Sequence, residues 1–112
     1  MRLLHHRESQ LGKGYVQELR AAHRLESEGY FVVRSYRSSG PVDLVGIPLE
    51  PPDTTAPRPV RLIQVKAGTS LTAAQRRELV HLADSLPPTV RVEVWSYRGG
   101  ALMPEVEVIE VE

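Results

Sequence analysis

Four polar residues of this sequence could together hydrolyse a phosphodiester. Asp43 follows a Gly-Pro turn at the start of one apolar stretch, and Gln64 and Lys66 lie two residues apart in another. Alternate residues of a strand share a face, so two adjacent hairpin strands would bring these three side chains together. Glu18, on a predicted helix, adds a second carboxylate. Because carboxylate and amide oxygens are the ligands that Mg²⁺ prefers, the pattern predicts a magnesium site, with Mn²⁺ as a possible substitute.

The chemistry of such a site would be metal-assisted attack of water on phosphorus. An ammonium group at Lys66 could orient or help to activate that water molecule. Each residue alone also has a structural explanation: Asp43 as a turn cap, and Gln64 as a satisfied polar residue of a strand. Lys66 alone would be a strand end whose charge reaches solvent, and Glu18 alone a solvated helix position. Their occurrence together, in this order, favours the catalytic interpretation.

Hydrophobic periodicity predicts the elements that position these residues. A helix is expected over residues 10–28, with Ser9 as its cap and Gly29 just past its end. A second helix is expected from a Thr72 capping box to about residue 85. The predicted strands cover residues 30–36, 42–47, 60–65, 90–95 and 106–111, and residues 48–59, with five prolines, are predicted to be a loop.

The predicted element order is α-β-β-β-α-β-β in a single α/β domain over residues 1–112. The first three strands would form a meander, and the second helix would let the fourth strand lie parallel to the third. This gives a mixed five-stranded sheet flanked by helices. Val92, Val94 and Trp95 are the expected place of an exposed apolar patch for dimer contacts.

Composition narrows the classes of function. The chain has 112 residues and no cysteine, which excludes disulfides, thiolate zinc sites and cysteine nucleophiles. It has no apolar run long enough for a membrane span and no recognisable signal peptide, so a cytoplasmic protein is expected. Residues 1–37 hold seven Arg and Lys against four Glu. This excess indicates a polyanion as partner, with random scatter of the charges as the alternative.

Four segments carry a resemblance to a known group of enzymes. They are Lys13–Glu18, Gly29–Arg34, Ser38–Val45 and Ile63–Lys66. Together they resemble the PD-(D/E)XK nuclease superfamily, and within it the archaeal and phage Holliday-junction resolvases. The resemblance extends over roughly residues 12–97. It implies a restriction-endonuclease-like αβββαββ core and a homodimer that cuts opposed strands of a four-way DNA junction.

The resemblance also implies a role for individual residues. The implied metal-binding residues are Glu18, Asp43, Gln64 and Val65. The implied catalytic residues are Glu18, Asp43, Gln64, Lys66 and Ser39, the last near the scissile phosphate. The implied DNA-binding residues are Arg7, Lys13, Arg34 and Arg37. The departure from the family pattern is Gln64, where the usual residue is Glu or Asp, and this weakens the expected affinity for the metal.

Three alternatives stay open at this point. One is another nuclease of the same superfamily, such as a virus-type replication-repair nuclease or a restriction-like enzyme. Those nucleases also combine an R-x-x-G-x-x-D turn, an E/QxK strand and a glutamine on the following helix. The second is a noncatalytic DNA-binding module with the same fold, against which the presence of Lys66 argues. The third is an unrelated α/β domain.

Overall fold

The computed structural model describes the backbone of residues 2–35, 40–50 and 57–111, and the side chains of residues 14–35, 40–50 and 57–111. Its helices are α1 (Arg2–Ser27) and α2 (Ala73–Asp84). Its strands are β1 (Tyr30–Arg34), β2 (Leu44–Pro48), β3 (Val60–Ala67), β4 (Val90–Tyr97) and β5 (Glu105–Val108). The predicted order of elements is therefore confirmed.

The strands form one sheet in the order β1-β2-β3-β4-β5. Strands β3 and β4 are parallel, and every other neighbouring pair is antiparallel. The meander of the first three strands and the helical crossover to β4 are thus confirmed, as is the mixed sheet. The parallel pairing runs the whole length of both strands, from Val60 opposite Val90 to Ala67 opposite Tyr97. Strand β3 is the central strand of the sheet.

The two helices lie on opposite faces of the sheet, because each buries a different set of alternate strand residues. Helix α1 packs through Ala21, Ala22 and Leu25 on a cluster that includes Ile63 and Trp95. Helix α2 packs through Leu79. Its partners are Val92, Val94 and Ile109, with Leu62 at the margin.

The expectation of an exposed patch at Val92, Val94 and Trp95 is wrong. All three are at most 3% exposed, because β4 lies between the two helical layers. The large apolar residues that are exposed in the sheet lie instead in its outer strands, at Phe31 and Val33 of β1, Ile47 of β2 and Val106 of β5.

Some predicted boundaries were also wrong. Helix α1 begins at Arg2, so Ser9 lies inside it and does not cap it. The helix ends before Gly29, as predicted. Gly29 has a positive φ of 89°, a backbone conformation that favours glycine. Pro48 belongs to β2, where it pairs with Tyr30 of β1. It lies beyond the pair of Gly46 with Arg61, where the pairing of β2 with β3 ends on that side. The missing N–H of Pro48 therefore costs no hydrogen bond to β3. Strand β5 is shorter than predicted.

The Thr72 capping box is present at the start of α2. Within the described ranges, no helix has the length and apolarity needed to cross a membrane.

Candidate active site

The candidate site lies where β2 and β3 separate. The last residue pair between these strands is Leu44 opposite Ile63. Just before it, the Asp43 backbone N–H donates to the Ile63 carbonyl at 2.8 Å. Asp43 Oδ2 accepts a hydrogen bond from the Val65 N–H at 2.7 Å, so the carboxylate takes the place that a β2 backbone carbonyl would fill. Asp43 is only 6% exposed. Its backbone N–H and its carboxylate each form a hydrogen bond with β3, and these two bonds fix its position.

Gln64 lies in the same stretch of β3 and has an unsatisfied oxygen. Its Oε1 is buried, and no described residue donates a hydrogen bond to it. Ile63 and Val65 pack toward α1, so strand alternation directs Gln64 and Lys66 to the opposite face. A buried acceptor without a donor costs about 1–3 kcal/mol. An oxygen in this state is suited to coordinate a cation.

Lys66 is held by the first turn of α2. Its Nζ lies 3.4 Å from Gln75 Oε1. The same oxygen accepts the Thr72 N–H at 2.9 Å, and Thr72 Oγ1 accepts the Gln75 N–H at 3.1 Å. The capping box therefore fixes the helix start and the lysine together. Sequence reasoning placed Gln75 in the capping box but missed its contact with Lys66, because spacing along a helix says nothing about the strand beside it.

Glu18 enters from α1. Its Oε1 lies 3.5 Å from Arg34 Nη2, and the Arg34 guanidinium lies over the Tyr15 ring, 5.0 Å from its centre. Burial raises the pKa of Glu18, and the negative charge of Asp43 raises it further, while Arg34 lowers it. The net direction is upward, so Arg34 does not offset burial and the charge of Asp43 together. A cation between them would reverse this shift.

The predicted ligands have the chemistry that suits a small hard cation, because the carboxylates of Asp43 and Glu18, the Gln64 amide and the Val65 carbonyl all offer oxygen atoms. Asp43 interacts with Glu18 and binds the Val65 N–H, whereas strand alternation directs Gln64 to the sheet face opposite α1 and Glu18. Within the described ranges, His, Cys, Asp and Glu side chains do not cluster in groups of three or more that could hold a metal. The predicted metal ligands are two carboxylates, one amide oxygen and one backbone carbonyl, so they do not form such a group.

Four of the predicted residues are not placed by the structure. Ser39 and Arg37 lie outside the described residues, and Arg7 and Lys13 lie on the α1 backbone without described side chains. Their implied roles at the scissile phosphate and on DNA remain predictions. Of the predicted DNA-binding residues, Arg34 is placed, and it lies against Glu18.

Comparison with known proteins adds no family to this description. The chain matches no protein-family model, and it matches neither a curated protein nor a solved structure.

Proposed function

We propose that this protein is a Mg²⁺-dependent, structure-selective DNA endonuclease that acts as a homodimer on four-way junctions. The observation that carries the proposal is the buried Gln64 Oε1, which accepts no hydrogen bond from the described residues and is next in the chain to the Val65 N–H that binds Asp43. A buried acceptor without a donor destabilises the fold, and a cation bound by that oxygen would remove this cost. This supports a cation site near the point where Asp43 binds β3.

Asp43, Gln64, Glu18 and the Val65 carbonyl would hold the ion. A bound Mg²⁺ would supply a more acidic water molecule and would stabilise negative charge on the phosphate. In hydrolysis, one P–O bond forms to the oxygen of water and another P–O bond breaks.

The other residues of the site would bind and orient. Lys66, fixed by Gln75, can orient the attacking water or neutralise charge on the phosphate. Arg34 has a guanidinium suited to bidentate phosphate contact, and it is 36% exposed at the edge of the site. We expect it to be shared between Glu18 and the DNA backbone. The chain therefore has a residue for each part of the reaction.

The choice of a branched substrate rests on the family resemblance. Two copies of the chain would cut two opposed strands. The exposed side chains of Phe31, Val33 and Ile47 form an apolar surface on the sheet that is available for such an assembly.

The experiment is a cleavage assay with a four-way junction, a linear duplex and single strands of the same sequences. We expect Mg²⁺-dependent cleavage of the junction in paired, symmetric positions, and little cleavage of the other two substrates. An Asp43→Asn preparation purified in parallel controls for contaminating nucleases. Absence of cleavage by the wild type, or equal cleavage by both preparations, would contradict the proposal.

A second candidate is a nuclease of the virus-type replication-repair group. It is favoured by the contact between Lys66 and Gln75, because that group combines a Q/ExK strand with a glutamine on the next helix. Adding flapped duplexes to the panel separates the two candidates. Paired cuts in junctions favour the resolvase, whereas cuts at flaps alone favour the second group.

A further inference from the structure

The two edges of the sheet differ in how well they are protected from pairing with a further strand. Among the described strands, β1 and β5 each have a neighbour on one side only. Strand β5 carries Glu105 and Glu107, and charged side chains on an edge strand discourage further pairing. Strand β1 is uncharged from Tyr30 to Val33, and its charged residue is the last one, Arg34. Of the two edges, the one at β1 is therefore suited to pairing.

The backbone groups at the free edge of β1 belong to alternate residues. Toward β2, the Ser35 N–H donates to the Asp43 carbonyl at 2.8 Å. At the other end of the pair, the Leu49 N–H donates to the Gly29 carbonyl at 2.9 Å. In an antiparallel pair, the residues between such hydrogen-bonded positions turn their N–H and C=O groups the other way. The residues that face the free edge are Tyr30, Val32 and Arg34, and no described strand pairs with them there.

The side chains beside this edge lack a cover on one face of the sheet. Tyr30 and Val32 pack in the cluster beneath α1, so strand alternation directs Phe31 and Val33 to the opposite face. Helix α2 lies on that face, but the sheet residues in its cluster belong to β3, β4 and the segment after β5. Phe31 is 57% exposed and Val33 44%. Consecutive apolar residues are typical of a strand that is covered on both faces.

We infer that β1 pairs antiparallel with β1 of a second copy of this chain, an inference that rests on the proposed function because it gives the proposed homodimer its interface. A two-fold axis at Val32 uses the whole strand, since it places Tyr30 opposite Arg34 of the second copy. The edge-facing residues of both copies then meet, with up to about six backbone hydrogen bonds. Phe31 would lie opposite Val33 of the second copy, and apolar cross-strand pairs stabilise a sheet.

A second copy fits this edge because the edge is complementary to itself. Pairing of β1 with β1 is two-fold symmetric and closes after two copies. Pairing of β1 with β5 of another copy would leave an unpaired edge at each end and would continue into an open chain. It would also bring the guarded β5 edge, with Glu105 and Glu107, against an apolar strand.

This pairing would place both candidate sites on the same face of one continuous sheet. The two-fold axis that relates antiparallel strands of one sheet is perpendicular to the sheet, so equivalent groups keep their face. Asp43 is the hydrogen-bond partner of Ser35, three residues from Val32 and one strand further in. At about 3.4 Å per residue and 4.8 Å between strands, the two Asp43 Cα atoms would be roughly 25 Å apart. Both sites could then reach a single DNA molecule, as cutting of two opposed strands requires.

The first test is the dissociation constant of the dimer, measured by sedimentation equilibrium without DNA or metal. The edge variant carries Phe31→Lys and Val33→Lys, which place like charges opposite each other across the interface. The matched control carries Ile47→Lys and Leu49→Lys, which add the same charge on the same face but one strand away from the edge. Both pairs are exposed, so both variants should fold. We expect the dissociation constant to rise at least about tenfold for the edge variant and to stay within about threefold for the control.

The second test fixes the register by disulfide formation, because the chain has no cysteine of its own. Phe31 and Val33 of the second copy would form a non-hydrogen-bonded pair, with Cα atoms about 4.5 Å apart. A disulfide spans Cα distances of about 4.4–6.8 Å, whereas the two copies of Phe31 would be more than about 7 Å apart. We expect a mixture of Phe31→Cys and Val33→Cys proteins to form a cross-linked heterodimer on mild oxidation, and neither variant to cross-link alone.

A wild type that is monomeric at every concentration measured would overturn the inference. Equal weakening in both lysine variants would overturn it too, because it would indicate that the sheets stack face to face. Cross-linking of either cysteine variant alone, or none in the mixture, would contradict the register. Failure of the nuclease proposal is a separate result, in which the wild type dimerises through β1 but does not cut with Mg²⁺. Cleavage by a dimer that tolerates the edge lysines would leave the nuclease proposal standing and remove β1 from its interface.

Discussion

Strand β3 carries buried polar groups at two places, which differ in whether those groups are paired. One is at Arg61, which we call the first end, and the other is at Gln64 in the second half of the strand, beside the Val65 N–H that binds Asp43, which we call the second end. At the first end, Arg61 donates to Glu93 at 2.9 Å and to Glu28 at 3.0 Å. Glu93, which is 0% exposed, also accepts from the Trp95 indole at 2.8 Å and from Arg91 at 2.7 Å. Every charge there has a partner. Three residues further along, Gln64 is half-buried, and its Oε1 atom is buried without a donor among the described residues.

The pKa shifts of the carboxylates differ in the same way. Burial alone would raise the pKa of Glu93, but hydrogen bonds from Arg61 and Trp95 bring it below its ordinary value. Burial and the charge of Asp43 raise the pKa of Glu18 above its ordinary value, and Arg34 does not cancel them. The first end therefore stabilises the fold with its charges in place. The second holds a cost in free energy that a bound cation would relieve.

The largest effect is expected from Asp43→Asn at the second end. The change keeps the size of the side chain but removes the charge that holds the metal, and metal stabilisation of the transition state is worth several kcal/mol. Cleavage should fall by about a thousandfold or more, since about 1.4 kcal/mol is tenfold in rate. Junction binding should stay within a few-fold, because phosphate contacts supply the affinity. Near wild-type cleavage by the pure variant would remove Asp43 from the mechanism.

At the first end, Glu93→Gln should destabilise the fold by about 3–5 kcal/mol, because it leaves the buried charge of Arg61 without its partner. The folded pKa of Glu93 lies below its ordinary value of 4.5, so its contribution is present above pH 4.5 and is lost as pH falls through the folded pKa. The difference in the free energy of unfolding between Glu93→Gln and the wild type should therefore become smaller as the pH falls through the same range. Urea unfolding at several pH values measures this difference.

Glu107→Gln is the matched control, because Glu107 pairs with Arg76 on the surface at 2.7 Å. Exposed pairs are worth about 0–1 kcal/mol, so this variant should unfold close to the wild type. Equal losses of stability in Glu93→Gln and Glu107→Gln would show that a buried ion pair contributes no more to the stability of this fold than an exposed one.

The smallest effect is expected from Glu18→Gln, and it has the opposite sign. The folded pKa of Glu18 lies above its ordinary value of 4.5, so its favourable contribution is complete below pH 4.5 and is lost as pH rises through the folded pKa. The neutral variant should therefore melt slightly higher than the wild type at pH 7 without metal, and at the same temperature below pH 4.5. Mg²⁺ should raise the melting temperature of the wild type more than that of the variant. A lower melting temperature for the metal-free variant at pH 7 would contradict the repulsion.

The sequence predicted the strands that carry Gln64 and Lys66 and the hairpin beside Asp43, but it did not predict the Arg61–Glu93 network. Asp43, Gln64 and Lys66 could be grouped because strand alternation and one hairpin suffice to bring them together. The Arg61–Glu93 network joins β3, β4 and the residue that follows α1, Glu28. Glu93 alternates with Val92 and Val94, a pattern that is typical of a solvent-facing position in a half-buried strand. No local pattern signals that Arg61 lies against it. The burial of Trp95 was missed for the same reason, since it depends on α1 covering β4.

The measurement that tests the central claim most directly is a Mg²⁺ titration of three proteins: the wild type, Gln64→Glu and Gln64→Leu. Mg²⁺ binding is detected by the rise in melting temperature and by the rate of cleavage. If Gln64 Oε1 is a metal ligand, the half-saturating Mg²⁺ concentration should fall for Gln64→Glu, which adds a charge, and rise for Gln64→Leu, which removes the ligand at similar volume. The metal-free Gln64→Leu protein should be at least as stable as the wild type, because it no longer buries an unsatisfied oxygen. Identical midpoints for the three proteins would contradict the assignment of a metal to this site.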